Sequence, residues 1–508
     1  MDSPIVDFYK NKSILLTGFT GFVGQIITEK LLRCCDPKAI YVLVRNKKGK
    51  SWQDRLQETF QDPVRIYNNF FLFDRIRNEK PDFTKRVVGL VGDCGKVNLD
   101  FNPDDLKTIL DNVNVVIHAA AIVKFDDTLA NALRVNVQAT KCLLDISRDM
   151  RNLQAFVYVS TAYSNCNQKD AIDEKFYTPR VSARNILQMM DFMDENLLNN
   201  ITPAIIEGFP NTYTFSKHIA EDLVRSYEGQ LPIVVFRPAI VMPSFKDPVS
   251  GWVNNYYGPV GLMYGIAMGC VHVFRGSCKC TAEMVPVDMV VSCILATAWD
   301  MARNSYKSIP VLNYVPSRQN LLTWGRFLKI SFSAAENFPV SRAIWYVSFQ
   351  PTESRFKYDV MHFFYHTIPG HFVDFFLKFS GTRFRLSKVF TMMKKLSFAL
   401  EHFVFNDWNF DDKNVTELWK KMSPADQKKF FFDMKQLNWT NYTNESLRGM
   451  RLYIAKDDPS TIPYALRRQK MFKVVHYVVT YSIKGLVLYL FAIFLLWIYT
   501  SVIFPMFN

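Results

Sequence analysis

Residues 14–24 read Ile14-Leu15-Leu16-Thr17-Gly18-Phe19-Thr20-Gly21-Phe22-Val23-Gly24, an apolar strand running directly into three glycines. Such a junction suits a dinucleotide. The first glycine permits the sharp turn, the second lets backbone approach a pyrophosphate, and the third lets the following helix pack tightly on the sheet. A helix over 22–33, with Ile27 and Leu31 at helical spacing, would point its unpaired N–H groups and positive dipole end at the phosphates.

Outward from this cradle, strand and helix signals alternate. Ala39–Val44 is a second apolar strand followed by Arg45-Asn46-Lys47-Lys48, where an NAD-preferring site places a carboxylate for the ribose hydroxyl. With cations there, Arg45 foremost, a 2′-phosphate fits better and NADPH is the expected cofactor. Residues 51–85 form an amphipathic helical excursion, and 86–91 a third strand with Asp93 just beyond it, facing the adenine. A fourth strand over 113–117 runs into His118-Ala119-Ala120-Ala121, whose small residues let the chain pass beside the cofactor; His118 reads as structural. Residues 129–150 form a helix carrying Asn136. The alternation predicts a parallel sheet covered by helices on both faces.

A fifth strand, Ala155–Val159, ends in Ser160-Thr161-Ala162-Tyr163, and further on comes Tyr213-Thr214-Phe215-Ser216-Lys217. On a helix, Tyr213 and Lys217 are four apart and share a face. An ammonium beside a phenol favours the phenolate and is expected to lower the Tyr213 pKa. Tyr213 would then move the proton that accompanies hydride transfer, while Thr161 or Ser160 holds the substrate oxygen. Tyr163 competes for the proton-donor role but has no lysine four residues on. A sixth strand over 231–236 is closed by Arg237-Pro238, after which the chain builds the substrate side.

The bulk properties frame these motifs. A chain of 508 residues needs two or three domains, and a net charge of +14 implies acidic company. No zinc-finger spacing or long basic tract supports nucleic acid, which leaves an anionic membrane surface or a phosphorylated ligand. The nine cysteines include no Cys-x-x-Cys pair and read as reduced thiols in the cytosol. No metal site is expected. Residues 485–504 carry no charge and are long enough to cross roughly 30 Å of hydrocarbon. Arg467, Arg468, Lys470, Lys473 and Lys484 precede them, so the positive-inside rule keeps the preceding domains in the cytosol. From about Ala343 helical signals dominate. Ser423-Pro424 reads as a helix start, and Asn414 with Glu417 as a near capping box. The apolar positions of 245–274 and the aromatic run 345–379 are candidates for a chain-binding tunnel. Cys270, Cys278 and Cys280 read as packing residues.

With these residues assembled, the chain resembles the extended short-chain dehydrogenase/reductase superfamily and, within it, the fatty acyl-CoA reductases. The resemblance rests on 17–24, 159–165, 210–217 and Phe236-Arg237-Pro238, and continues through 401–411, Phe432-Asp433-Met434 and Asn438-Trp439. It departs at Phe19, where many members have a small residue, a change that could alter the cofactor edge. It implies a doubly wound Rossmann-like α/β domain with a substrate-side extension (1–340), a small helical C-terminal domain (343–470) and a transmembrane anchor (485–504). The implied reaction is NADPH-dependent reduction of long-chain acyl-CoA through the aldehyde to the alcohol. Thr161, Tyr213 and Lys217 would be catalytic. The cofactor would be held by Thr17, Gly18, Thr20, Gly21, Phe22, Val23, Gly24, Arg45, Asp93, Ala119, Ala120, Lys217 and Pro238. The helical domain would close the acyl pocket, bind CoA through Lys394 and Lys395, or orient the enzyme on the membrane. The endoplasmic reticulum is the first expectation for location, with peroxisome or lipid droplet as alternatives. The rival readings are a membrane-bound steroid or sterol dehydrogenase and a non-catalytic nucleotide-binding scaffold; a nucleotide-sugar epimerase fits less well.

Overall fold

Seven parallel strands form the central sheet: β1 (Ser13–Thr17), β2 (Ala39–Val44), β3 (Val87–Val91), β4 (Val115–His118), β5 (Ala155–Val159), β6 (Ile233–Pro238) and β7 (Val311–Tyr314). Their spatial order is β3-β2-β1-β4-β5-β6-β7, so the winding direction reverses between β1 and β4. In open α/β sheets the ligand crevice lies at that reversal, beyond the carboxyl ends of the strands. The computed structural model describes residues 2–46, 49–61, 71–316 and 318–503. Lys47, Lys48 and Phe504, and part of the 51–85 excursion, lie outside the described residues.

The strands read as unbroken apolar runs because both sheet faces are covered. Ile14 and Leu16 of β1 enter one core layer and Leu15 the other. On the first face lie α1 (Pro4–Tyr9) and α2 (Phe22–Cys34). On the second lies α3 (Thr212–Arg225), whose N-cap Asn211 accepts from the Thr214 N–H. The first face is completed by α4 (Val287–Arg303), apolar on all sides and buried through most of its length. Such all-round hydrophobicity marks an internal helix. The substrate-side extension carries two small parallel pairings, Ile240–Met242 with Met284–Pro286 and Val273–Arg275 with Gln350–Thr352. The second pairing joins the start of the helical part to the extension, so the two share a sheet across the expected boundary near 340.

The C-terminal part is helical, including α5 (Ile368–Phe379), α6 (Leu386–Val404), α7 (Trp439–Gly449) and α8 (Ile462–Ile498). Ser423 caps the helix at Pro424–Lys429 as expected. Asn414 does not cap: it lies inside Lys413–Lys421, and its amide instead donates to the Val311 carbonyl. The helix begins two residues earlier, with Asp412 at the N-cap position, and the backbone N–H of Asn414 is taken up by the Glu174 carboxylate. The two halves are stitched backbone to backbone. The Ile172 N–H donates to Asn409 O at 2.8 Å, and the Asp411 N–H donates to Ile172 O at 3.0 Å. Gly449 packs on Gly251 so closely that an added Cβ would lie 1.8 Å from the Gly251 carbonyl oxygen.

The apolar C-terminal helix is far longer than the expected anchor. α8 starts at Ile462, inside the expected helical domain, and passes through 485 without a break. The stretch Pro459–Ser501 is long and apolar enough to cross a membrane, and its most apolar window is unburied.

Candidate active site

The cradle forms where β1 ends. Gly18 adopts φ +79, a left-handed conformation that glycine accepts without strain. A Cβ there would sit 2.8 Å from the Ala119 carbonyl carbon, and one on Gly24 would sit 2.2 Å from Gly18 O. Glycine is therefore required at both positions. Gly18, Thr20, Gly21, Phe22, Val23 and Gly24 all line one large cavity. Thr17 does not. Its hydroxyl is buried between the His118 Nδ1, 2.7 Å away, and the Ala120 N–H, so it latches β1 to β4. His118 is structural, its second ring nitrogen meeting the Thr140 hydroxyl at 3.0 Å, and burial pushes its pKa down to about 3. Ala119 lines the cavity, with Ala121 rather than Ala120 beside it. Phe19 points into the core against Phe60, away from the cofactor edge.

At the carboxyl ends of β2 and β3, Arg45 and Asp93 face each other at 3.3 Å. Asp93 also accepts from the Gly95 N–H, so part of its role is to shape its own turn. A residue that sequence reasoning missed stands beside them. Arg55, on the helix Trp52–Phe60 capped by Ser51, donates to the Arg45 carbonyl and to the Thr20 hydroxyl at 3.3 Å. It thereby spans from the glycine loop to the end of β2. Its pKa is lowered, first by desolvation and then by the Arg45 guanidinium nearby. Two cations thus converge at this edge. The Ser51–Asp54 capping box is the sequence signal that fixes where this helix starts, but nothing local shows where Arg55 reaches.

Thr161, Tyr213 and Lys217 converge on one wall of the cavity, with Pro238 beside them. The Thr161 and Tyr213 hydroxyls share a hydrogen bond; burial nevertheless pushes the Tyr213 phenol up, to about 12. The expected lowering of its pKa by Lys217 is therefore not what the structure holds. Lys217 Nζ instead donates to Val159 O at 2.7 Å and sits 4.7 Å over the Tyr158 ring. Burial brings the Lys217 pKa down to about 7, against an upward pull from Glu221. The energetic reason is general: desolvation of an enclosed group outweighs a charge that is not in direct contact.

Behind this wall lies a buried ion pair. Glu221 receives Arg237 Nη2 at 2.6 Å and Arg237 Nε at 2.9 Å, and the Ser160 hydroxyl at 2.5 Å. Burial pushes the Glu221 carboxyl up, but Arg237 pulls it below the ordinary value. Ser160 is thus committed inward, which leaves Thr161 as the hydroxyl nearest Tyr213. Asn136 lies in a π turn, Arg134–Gln138, and ties the Ile122 backbone to the Ser216 hydroxyl. The competitor Tyr163 is enclosed by Phe403, Trp408 and Phe410 at 5.1–5.8 Å, and burial drives its phenol well above 10. It cements the two halves of the chain.

The cavity measures about 2600 Å³ and continues far past this wall. Its far walls are apolar, from Pro259–Ala267, α5, α6 and Trp345. Positions within 256–272 and the aromatic run beginning at Trp345 do line it, whereas Phe245 and Phe274 do not. Phe245 packs on Tyr442. Lys395 lies on the cavity, while Lys394 pairs with Asp359 at 3.0 Å. α8 contributes His476, Val479, Thr480, Ile483, Lys484 and Val487, a stripe at helical spacing.

Comparisons place this architecture among known proteins. Residues 16–294 and 365–457 match two family models, each described as male sterility protein. The chain is 41% identical over 491 residues to fatty acyl-CoA reductase wat of Drosophila melanogaster, covering 96% of this chain and 93% of that protein. It is 34% identical over 475 residues to fatty acyl-CoA reductase 1 of Homo sapiens, covering 93% and 90%. Among solved structures, the terminal R domain of the myxalamid PKS-NRPS pathway superposes with TM-score 0.58 at 16% identity, over 87% of this chain and 90% of that one. The reductase (R) domain of a nonribosomal peptide synthetase from Mycobacterium tuberculosis gives TM-score 0.58 at 16% identity, over 89% and 97%. At that identity the structural likeness concerns the fold.

Proposed function

Since the chain belongs to the fatty acyl-CoA reductase family, we propose that it reduces long-chain fatty acyl-CoA to the fatty alcohol by way of the aldehyde, using NADPH. The observation that carries this reading is a single cavity that joins a glycine cradle, a Thr161–Tyr213–Lys217 wall and a long apolar extension. A Cβ on Gly18 or Gly24 would strike neighbouring backbone, so glycine at both keeps the tight strand–loop–helix junction that a pyrophosphate cradle needs. Gly18, Thr20, Gly21, Phe22, Val23 and Gly24 would hold the dinucleotide. Arg45 and Arg55 would meet its 2′-phosphate, and Lys217 and Pro238 the nicotinamide end. When bound, NADPH supplies hydride.

The protein's own groups do the rest. The Thr161 hydroxyl and the Tyr213 phenol hold the substrate oxygen and meet the charge that develops on it. With its pKa raised, Tyr213 is protonated throughout the physiological range and acts as the proton donor at Oη. Lys217 stands behind it, its Nζ anchored to Val159 O and positively charged below its pKa near 7. The apolar walls exclude water from the reacting carbonyl and hold the acyl chain.

The uncharged C-terminal part of α8 is proposed as a single-pass anchor, with the basic residues in the earlier part of the same helix holding the catalytic part on the cytosolic side, at the endoplasmic reticulum. Peroxisome and lipid droplet are the alternatives that fractionation separates. The reductase-type C-terminal module weighs against a steroid dehydrogenase, and the intact Tyr213–Lys217 pair against a non-catalytic scaffold.

Product analysis of the detergent-solubilised protein with an acyl-CoA length series, NADPH and NADH tests the reading. Fatty alcohol formed with NADPH is the expected result. Tyr213→Phe should lower kcat by about 10²–10⁴-fold with cofactor binding unchanged. Undiminished alcohol formation by that variant would remove the proton-donor role, and NADPH binding without acyl-CoA consumption would remove the substrate.

A further inference from the structure

Beside the cavity mouth, the segment leading into α5 and α5 itself show a face that none of the described residues covers. Phe363, Phe364, Phe372, Phe375, Phe376 and Phe379 are each at least half exposed. Within α5 the last four recur at helical spacing, so they form one stripe. This exposure is held in place by the opposite face. The buried Asp374 carboxylate accepts from the Leu386 N–H at 2.6 Å and the Ser387 N–H at 3.1 Å, fixing the start of α6. Gly370 lets the two helices close up, since a Cβ there would come within 2.8 Å of the Phe390 ring. The hairpin is therefore a packed unit with its aromatic side turned outward. Contiguous apolar surface of this kind marks an interaction site.

Two observations name the occupant. First, the patch is continuous with α8 across the cavity mouth. Ile368 and Phe372 line the cavity on one lip, and Val479, Ile483 and Val487 on the other, and all five are also solvent-exposed. Second, exposed basic side chains, Lys378, Arg383 and Lys388, accompany the aromatic stripe. Aromatic rings with Lys and Arg along their border suit the boundary between acyl chains and anionic headgroups.

We propose that the aromatic face of α5 enters the cytosolic leaflet of the bilayer that α8 crosses, so that the cavity opens into lipid and the acyl chain enters sideways from the bilayer. The proposal rests on the reading of α8 as membrane-embedded. It gives the large apolar cavity a substrate route that never crosses water, with the CoA end remaining at the headgroup surface.

Full-length protein in phosphatidylcholine vesicles doped with a diazirine-bearing phosphatidylcholine is illuminated, and the adducts are mapped by peptide. Adducts on 363–384 together with α8 are expected. Adducts on α8 alone overturn the proposal while leaving the anchor intact. Adducts on neither overturn the anchor and the proposal together. In parallel, the triple variant F375E/F376E/F379E should lose about tenfold or more in kcat/KM for vesicle-held palmitoyl-CoA, yet match the parent in mixed detergent micelles. Equal rates from vesicles, or an equal loss in both media, overturn it.

Discussion

Raising the pH should switch this enzyme off through Lys217, with Tyr213 a bystander. The Lys217 pKa lies near 7 and the Tyr213 pKa near 12, both set first by burial. The charged fraction of Lys217 is then about nine-tenths at pH 6, a tenth at pH 8 and a hundredth at pH 9. If turnover needs the ammonium, alcohol formation at saturating substrates falls by about a hundredfold from pH 6 to 9. Lys217→Met should turn over slowly with a flat profile across the same range. The same burial bears on stability. A lysine that titrates near 7 when folded and at 10.5 when unfolded disfavours the fold by about 5 kcal/mol below pH 7. Between those values the unfolded chain binds more protons, so stability rises with pH. Lys217→Met removes that charge and loses a hydrogen bond to Val159 O worth about 1 kcal/mol, so it should be the more stable protein at neutral pH by a few kcal/mol. The assays are a pH–rate profile for fatty alcohol and thermal unfolding of both proteins. A parent rate that is flat from pH 6 to 9, or an alkaline fall that persists in Lys217→Met, would refute the assignment.

Three further perturbations have definite outcomes. Gly24→Ala puts a methyl 2.2 Å from the Gly18 carbonyl oxygen, and dinucleotide binding measured by fluorescence titration should be lost; retained affinity would mean that the loop can relax. Arg45→Ala and Arg55→Ala should each raise KM for NADPH by about tenfold or more and leave NADH little changed. An unaltered NADPH-to-NADH preference in the double variant would place the 2′-phosphate elsewhere. Gly449→Ala drives a methyl into the Gly251 backbone and should destabilise the junction between the halves by about 1–3 kcal/mol, read as a lowered Tm; an unchanged Tm would show that the contact yields freely.

What could be read in the chain followed local pattern. The strand–glycine–helix junction, the first six parallel strands and the helix that carries Tyr213 and Lys217 are set by spacings of a few residues and stand within about two residues of where expected, whereas the edge strand β7 was not expected. What could not be read depended on distant partners. Lys217 finds Val159 and Tyr158 across the sheet, so helical spacing alone overstated its hold on Tyr213. Thr17 looked like cofactor contact because it adjoins the glycines, but strand alternation turns it towards His118. Arg55 belonged to a stretch without a chemical motif. The limits of α8 were hidden because Lys473 and Lys484 break the apolar run in sequence without breaking the helix. Long lysine side chains tolerate such positions by reaching for water.

α1 closes the molecule on itself. Ser3 bonds to Asp426, 423 residues away, while Ile5 and Tyr9 are fully buried and Tyr9 donates to the Leu295 carbonyl. At a translation rate of about 5–20 residues per second, Tyr9 waits roughly 14–57 s for Leu295, and Ser3 roughly 21–85 s for Asp426. For that interval Ser3 and Tyr9 lack these two partners, and a segment as short as α1 cannot hold a helix without packing. Until then these side chains stay open to holding factors at the ribosome, and this part of the core closes only when Leu295 and Asp426 have been made.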